Sequence, residues 1–163
     1  MTILKLKCKK VVADYLRSRY PSPIKITATG VEMDFLRNAI KAGSHRRHEL
    51  RFVEEYPDFV EIEFPQFYIW KAGKVAIPST AVMAMDSFIR NLIKTAVNNS
   101  LDLVKNQVKV KESDMIFSYL ITLGIKPENI NLDTFLKARY RNKVKANNGN
   151  YLKKNRVKVY ANL

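Results

Sequence analysis

The sequence contains a single cysteine, Cys8, so the fold has no internal disulfide. It has no apolar run of about 18 residues, and no transmembrane helix is therefore predicted. The first residues also lack the apolar segment and cleavage site of a secretory signal. These features predict a cytoplasmic protein with no membrane partner, in which Cys8 is a buried structural thiol.

Glycine is scarce, and the loops that bind nucleotide phosphates are missing. Five glycines are scattered along the chain, and none forms a GxxxxGKS/T or GxGxxG loop. His45 and His48 are the only histidines and Cys8 is the only thiol, which is fewer than the roughly four ligands of a typical zinc site. We therefore predict no cofactor, no metal site and no catalytic residue.

Acidic residues gather before and within one predicted strand. Glu61 and Glu63 follow Asp58 with a spacing that partly matches the PD-(D/E)xK pattern of metal-dependent nucleases. The match fails because the final position holds Glu63 instead of lysine, and because Asp58 lies too close to occupy a separate strand. We expect both glutamates to line the solvent face of a strand whose other face is apolar.

Acidic residues are absent after Asp133. Residues 134–163 carry nine Lys/Arg and no Asp/Glu, whereas residues 1–133 carry 20 Lys/Arg and all 15 Asp/Glu. The last segment thus holds nine of the 14 net positive charges. A dense basic segment releases condensed counterions when it binds a polyphosphate. We therefore predict DNA, or another polyanion, as the partner.

Hydrophobic periodicity predicts one α+β domain with a small N-terminal antiparallel or mixed sheet and one long helix. Thr29 and Glu32 match a capping box that starts the second helix. The poor helix formers at 98–100 predict a kink or an early end in the long helix. The predicted elements are a strand at 2–8, a helix at 9–20, a short strand at 24–27, a helix ending at Ala42, two or three antiparallel strands at 50–78 and a long helix at 79–104.

A helix–turn–helix-like pair follows this core. Its first helix, at 113–123, ends at Gly124, a suitable left-handed closing residue. Its second helix begins at the N-cap Asn131, with Asp133 in the first turn. The predicted buried side of the second helix holds Leu132, Phe135, Leu136 and Tyr140, and the predicted exposed face holds Lys137, Arg141 and Lys145. The chain is thereby divided into an α+β core at 1–110, the helix pair at 111–145 packed on it, and a basic tail at 146–163.

In duplex recognition, the second helix of such a pair enters the major groove. Base or phosphate contacts are then expected from Asn131, Thr134, Lys137, Ala138 and Arg141, with Arg139 and Lys143 touching phosphates beside the groove. The predicted nucleic-acid-binding residues are Lys137, Arg139, Arg141, Lys143, Lys145, Lys153, Lys154, Arg156 and Lys158, with Arg46 and Arg47 as a second phosphate contact.

The stretch MIFSYLITLGIKPENINLDTFLKARYRNK, residues 115–143, resembles the C-terminal helix pairs of small basic proteins from bacteriophages and mobile elements, such as the phage Mor family. The resemblance implies a helix-turn-helix regulator of phage or mobile-element origin. We therefore predict a non-enzymatic DNA-binding protein of the host cytoplasm. The alternative is a virion structural or genome-packaging protein whose basic tail contacts the genome or an acidic partner. Either function is compatible with a homo-oligomer.

Overall fold

The computed structural model describes residues 1–42, 56–66, 77–104, 110–141 and Val144. These ranges form a small sheet, five helices and one 3-10 turn, which confirms the predicted α+β fold with one long helix. The elements are β1 (Thr2–Cys8), α1 (Lys10–Arg19), β2 (Ile24–Lys25), α2 (Val31–Ala42), β3 (Asp58–Phe64), α3 (Ser79–Val104), α4 (Glu112–Thr122), the 3-10 turn (Pro127–Asn129) and α5 (132–141).

The sheet is mixed, and β3 is its central strand. β1 pairs with β3 in antiparallel fashion, so that Leu6 lies opposite Val60. β2 pairs with the other edge of β3 in parallel fashion, so that Ile24 lies opposite Ile62. Within the predicted strand region at 50–78, β3 is the strand in the described range 56–66, and the stretches 50–55 and 67–76 lie outside the described residues.

One face of the sheet forms the floor of the hydrophobic core. The period of two predicted for β1 and β3 is confirmed, because alternate residues of each strand are buried. Cys8 is among them, with 2% of its surface exposed. Burial, reinforced by the Asp58 carboxylate, raises the pKa of the Cys8 thiol to about 12. The predicted structural role of this thiol is therefore confirmed. The buried strand residues are Leu6, Cys8, Ile24, Val60, Ile62 and Phe64.

The start of α2 differs from the predicted capping box. The helix begins at Val31, after Gly30, whose carbonyl accepts the amides of Met33 and Asp34. Glu32 is buried and does not cap from the position that the motif requires. Its carboxylate accepts hydrogen bonds from three donors near α1: Tyr15 Oη at 2.9 Å, Tyr20 Oη at 2.9 Å and Arg19 NH1 at 3.1 Å. The capping-box prediction was wrong because α2 starts one residue later than the motif requires, which puts Glu32 at the second helical position instead of the third.

The contacts of Glu32 set the titration of the whole cluster. Burial raises the pKa of Glu32, but hydrogen bonds from its own backbone amide, Tyr20 and Tyr15 and the charge of Arg19 outweigh burial and hold the pKa below its ordinary value. Burial and the hydrogen bond to Glu32 raise the pKa of Tyr15 and that of Tyr20 to about 12. The cluster thus joins α1 to α2 as a charged carboxylate held by neutral phenols and one guanidinium.

The long helix α3 runs without interruption through 98–100. The predicted early end was wrong, because the helix continues to Val104. Buried side chains recur every four residues along α3, so the helix is held by packing on both sides of the poor helix formers. These buried residues are Met85, Ile89, Ile93, Val97 and Leu101. The uninterrupted helix carries Asn98 and Asp102 to the C-terminal helix pair.

Candidate nucleic-acid interface

The C-terminal helix pair forms with the predicted signals at both of its inner ends. Gly124 closes α4 with φ +80, and the next amide, of Ile125, donates to Leu120 O at 3.1 Å. Asn131 Oδ1 accepts the amide of Thr134 at 3.3 Å, which confirms the predicted N-cap of α5. The connector between the helices spans 123–131 and contains the 3-10 turn. It is longer than the about three to four residues of a DNA-reading helix-turn-helix.

The connector is held against α1 by a buried carboxylate. Asp14 is 4% exposed, and its Oδ2 accepts Lys126 N at 3.1 Å and Asn129 Nδ2 at 2.6 Å. Ser18 Oγ lies 2.9 Å from Leu123 O, one residue before the closing glycine. The apolar residues of the pair enter the same hydrophobic core as the sheet and α3: Ile116, Leu120, Ile125 and Phe135. The connector is therefore bonded to α1 and the helix pair packs on the core, which holds α5 in place and leaves its outward face exposed.

Arg139 lies on the inward face of α5, where it is 6% exposed. Its Nε donates to Glu112 Oε1 at 2.6 Å and its NH2 donates to Asp102 Oδ1 at 2.7 Å. Its NH1 lies 3.4 Å from the carbonyl of Asn98. The hydrogen bond to Asp102 outweighs burial and raises the pKa of Arg139, so the guanidinium stays charged. The guanidinium of Arg139 thus joins α5 to α3 and α4 and does not take the exposed position from which a phosphate contact was predicted.

Tyr140 lies on the exposed side of α5, with the basic residues that were predicted there. It was expected in the core, and it is 69% exposed. The side chains that face inward on α5 are Leu132, Phe135, Leu136 and Arg139. The last three lie three, four and seven residues after Leu132, which is the spacing of one helical face. Asp102 and Glu112 lie opposite position 139 and favour an inward Arg139 over an inward Tyr140. The helical periodicity of α5 alone does not reveal these two partners.

Three side chains share the exposed face of α5, which we call the α5 outer face: Lys137, Tyr140 and Arg141. The last two lie three and four positions after Lys137, so all three project from one side of the helix. The predicted exposure of Lys137 and Arg141 is confirmed. Within the described ranges, neither cation forms an ion pair or a hydrogen bond through its side chain.

The remaining residues predicted on α5 vary in exposure. Asn131 and Thr134 are exposed at its N-terminal end, and Ala138 is half-buried. Asp133 is exposed one turn before Lys137. The other predicted contacts lie outside the described residues: Lys143, Lys145, Lys153, Lys154, Arg156, Lys158, Arg46 and Arg47.

The glutamates of the partial nuclease pattern lie where the strand period predicts. Glu61 and Glu63 alternate with buried residues on β3, and Glu61 lies directly opposite Lys5 of β1. Lys5 Nζ also sits 4.4 Å from the centre of the Phe59 ring. Among the residues that the structure describes, no group of three or more His, Cys, Asp and Glu side chains is arranged to hold a metal ion. This face is therefore a cross-strand array of opposite charges.

The described helices include none that combines the length and apolar character needed to cross a membrane. On the α5 outer face, the exposed ring of Tyr140 lies on the same side of the helix as two cations that form no ion pair within the described ranges. No protein-family model, curated protein or solved structure matches the chain significantly.

Proposed function

We propose that the protein is a non-enzymatic nucleic-acid-binding protein, with DNA as the principal partner, that attaches through phosphate contacts from α5 and the segment that follows it. The observation that carries the proposal is the exposed, unpaired state of Lys137 and Arg141 in the described structure. Both cations lie within the segment 134–163, which carries nine Lys/Arg and no acidic residue.

The charge arrangement on α5 supports this proposal. Of the three basic residues in the described part of α5, Arg139 is neutralised by Asp102 and Glu112, whereas Lys137 and Arg141 face solvent. A free surface cation gains by replacing the condensed counterions of a polyphosphate, and the gain falls as salt rises. An ion-paired arginine has little left to gain from a phosphate.

The proposal extends to origin and location. A phage or mobile-element protein of the host cytoplasm is the setting that the resemblance of residues 115–143 favours. In that setting the helix–turn–helix-like pair favours DNA as the partner of the basic segment.

The test is a salt titration of binding to a fluorescein-labelled 20-base-pair duplex, followed by anisotropy. The wild type is compared with Lys137→Glu/Arg141→Glu and with the control Lys10→Glu/Lys41→Glu, which changes net charge equally at exposed positions on α1 and α2. Loss of two phosphate contacts reduces the slope of log affinity against log salt by roughly 1.8 and lowers affinity about tenfold or more.

The control is expected to retain most of the wild-type affinity and the wild-type slope. Equal binding by the two double variants contradicts a role for α5. Absence of salt-dependent binding by the wild type, both to this duplex and to its separated single strands, contradicts the proposal as a whole.

A further inference from the structure

We infer that Tyr140 is a base-stacking residue and that the polymer bound by the α5 outer face is single-stranded nucleic acid. This inference rests on the proposed function and deepens it, because it names the class of nucleic acid. It stands on the placement of one aromatic ring between two cations, a placement that the helical pattern of the sequence does not predict.

The geometry of the α5 outer face suits a stacked base. Tyr140 is 69% exposed, and Arg141 follows it directly while Lys137 lies one turn earlier. A ring with cations on the same helical face matches the two needs of a single strand, which are a surface for a base and charges for the flanking phosphates.

Single-stranded nucleic acid fits this face better than a duplex does. In a duplex the faces of the bases are covered by their neighbours, so an exposed tyrosine on a helix surface meets only backbone or groove edges. In a single strand each base offers its face, and stacking on an aromatic ring tolerates any sequence. The connector at 123–131 is also longer than the turn of a compact duplex-reading pair.

The outward position of Tyr140 is held by its neighbour. Arg139 is bonded to Glu112 and Asp102 on two other helices, which fixes the rotation of α5 about its axis. Because residues next to each other on a helix point about 100° apart, an inward Arg139 keeps Tyr140 turned towards solvent. The ring is therefore presented before any ligand binds, and the ordering of this part of the helix adds little cost to binding.

The experiment measures anisotropy of labelled dT20, rU20 and a mixed-sequence 20-base-pair duplex at several salt concentrations. The variants are Tyr140→Ala, Tyr140→Phe and the control Leu103→Ala, which removes a 75% exposed apolar side chain from α3. Circular dichroism establishes that each variant is folded. We expect wild-type affinity for at least one single strand to exceed affinity for the duplex, and the tighter of dT20 and rU20 identifies DNA or RNA.

Loss of one stacked base in Tyr140→Ala is expected to weaken single-strand binding by roughly 5- to 150-fold with an unchanged salt slope, because the phosphate contacts remain. Tyr140→Phe keeps the ring and is expected to bind within about twofold of wild type, as is Leu103→Ala. Salt-dependent duplex binding combined with a silent Tyr140→Ala overturns this inference alone. Absence of salt-dependent binding to all three oligonucleotides overturns the proposed function as well.

Discussion

Arg139 and Glu112 join the two C-terminal helices through a 2.6 Å hydrogen bond from Nε to Oε1. The same guanidinium reaches Asp102 of α3 at 2.7 Å, so one side chain connects three helices. Both acids are partly solvated, with side-chain exposures of 34% and 65%, and this limits the energy of each pair. The contribution of Arg139 is therefore one of position as much as of stability.

The first prediction contrasts Arg139 with its neighbour Arg141. Arg139→Ala removes the buried connection and is expected to lower the free energy of unfolding by about 2 kcal/mol, or Tm by roughly 4–8 °C. Arg141→Ala removes an exposed cation and is expected to change the free energy of unfolding by less than about 0.5 kcal/mol. Arg141→Ala is nevertheless expected to weaken nucleic-acid binding directly, since it removes a cation that faces the ligand. Thermal melts and anisotropy on both variants measure the contrast, and equal melts would show that Arg139 has no structural role.

Gly124 is predicted to tolerate no side chain. Its φ is +80, and a Cβ there comes within 2.2 Å of Ser18 Cβ on α1. Gly124→Ala is therefore expected to cost about 2 kcal/mol or more in the free energy of unfolding. Ser18→Gly removes the atom that clashes, so Gly124→Ala should cost less in that background. Urea melts of the two single variants and the double variant measure this coupling. A purely additive cycle would mean that backbone strain alone accounts for the loss.

Glu32 is predicted to make stability depend on acid pH. Its folded pKa lies below its ordinary value, so the carboxylate stabilises the fold above the unfolded pKa and loses this effect as pH falls through the folded pKa. Glu32→Gln is expected to cost about 1–3 kcal/mol at neutral pH. Its melts should also change less with pH below the ordinary glutamate pKa of about 4.3. Asp58 retains some acid dependence, because a hydrogen bond from Arg17 lowers its pKa. Parallel acid limbs for wild type and variant would contradict the assignment.

Asp133 is predicted to oppose ligand binding. It is exposed in the first turn of α5, one turn before Lys137, and repels phosphates drawn to the α5 outer face. Asp133→Asn is therefore expected to raise affinity for nucleic acid several-fold at low salt, with a smaller gain at high salt. Loss of its favourable position near the helix N-terminus should cost about 0.3–1 kcal/mol of stability. Anisotropy and thermal melts test the two effects, and Asp114→Asn, exposed on α4, is the matched control.

Much of the fold follows from local pattern. Alternation in 2–8, the closing role of Gly124 and the N-cap at Asn131 are each decided by residues next to one another, and each was confirmed. The parallel pairing of β2 with β3 involves strands far apart in the chain, and a two-residue strand carries too little pattern to specify its partner.

The candidate site was harder to predict because it depends on contacts between distant residues. Arg139 and Tyr140 are adjacent, and helical periodicity alone cannot decide which of them faces inward. Asp102, 37 positions before Arg139, decides it by offering a carboxylate where the core ends. The contacts of Glu32 were equally hard to predict, because Tyr15 lies on α1 and Tyr20 directly after α1, whereas Glu32 itself lies on α2.

The buried Cys8 has a practical consequence. It is the only cysteine of the chain, it is 2% exposed, and burial raises its pKa to about 12. In the folded protein at neutral pH it offers almost no thiolate to a maleimide, so its labelling rate reports opening of the core. A second cysteine placed at an exposed position on α5 would then take a fluorophore alone, without prior removal of the natural thiol. The chain is thus suited both to measurement of its unfolding and to site-directed labelling of its ligand-facing helix.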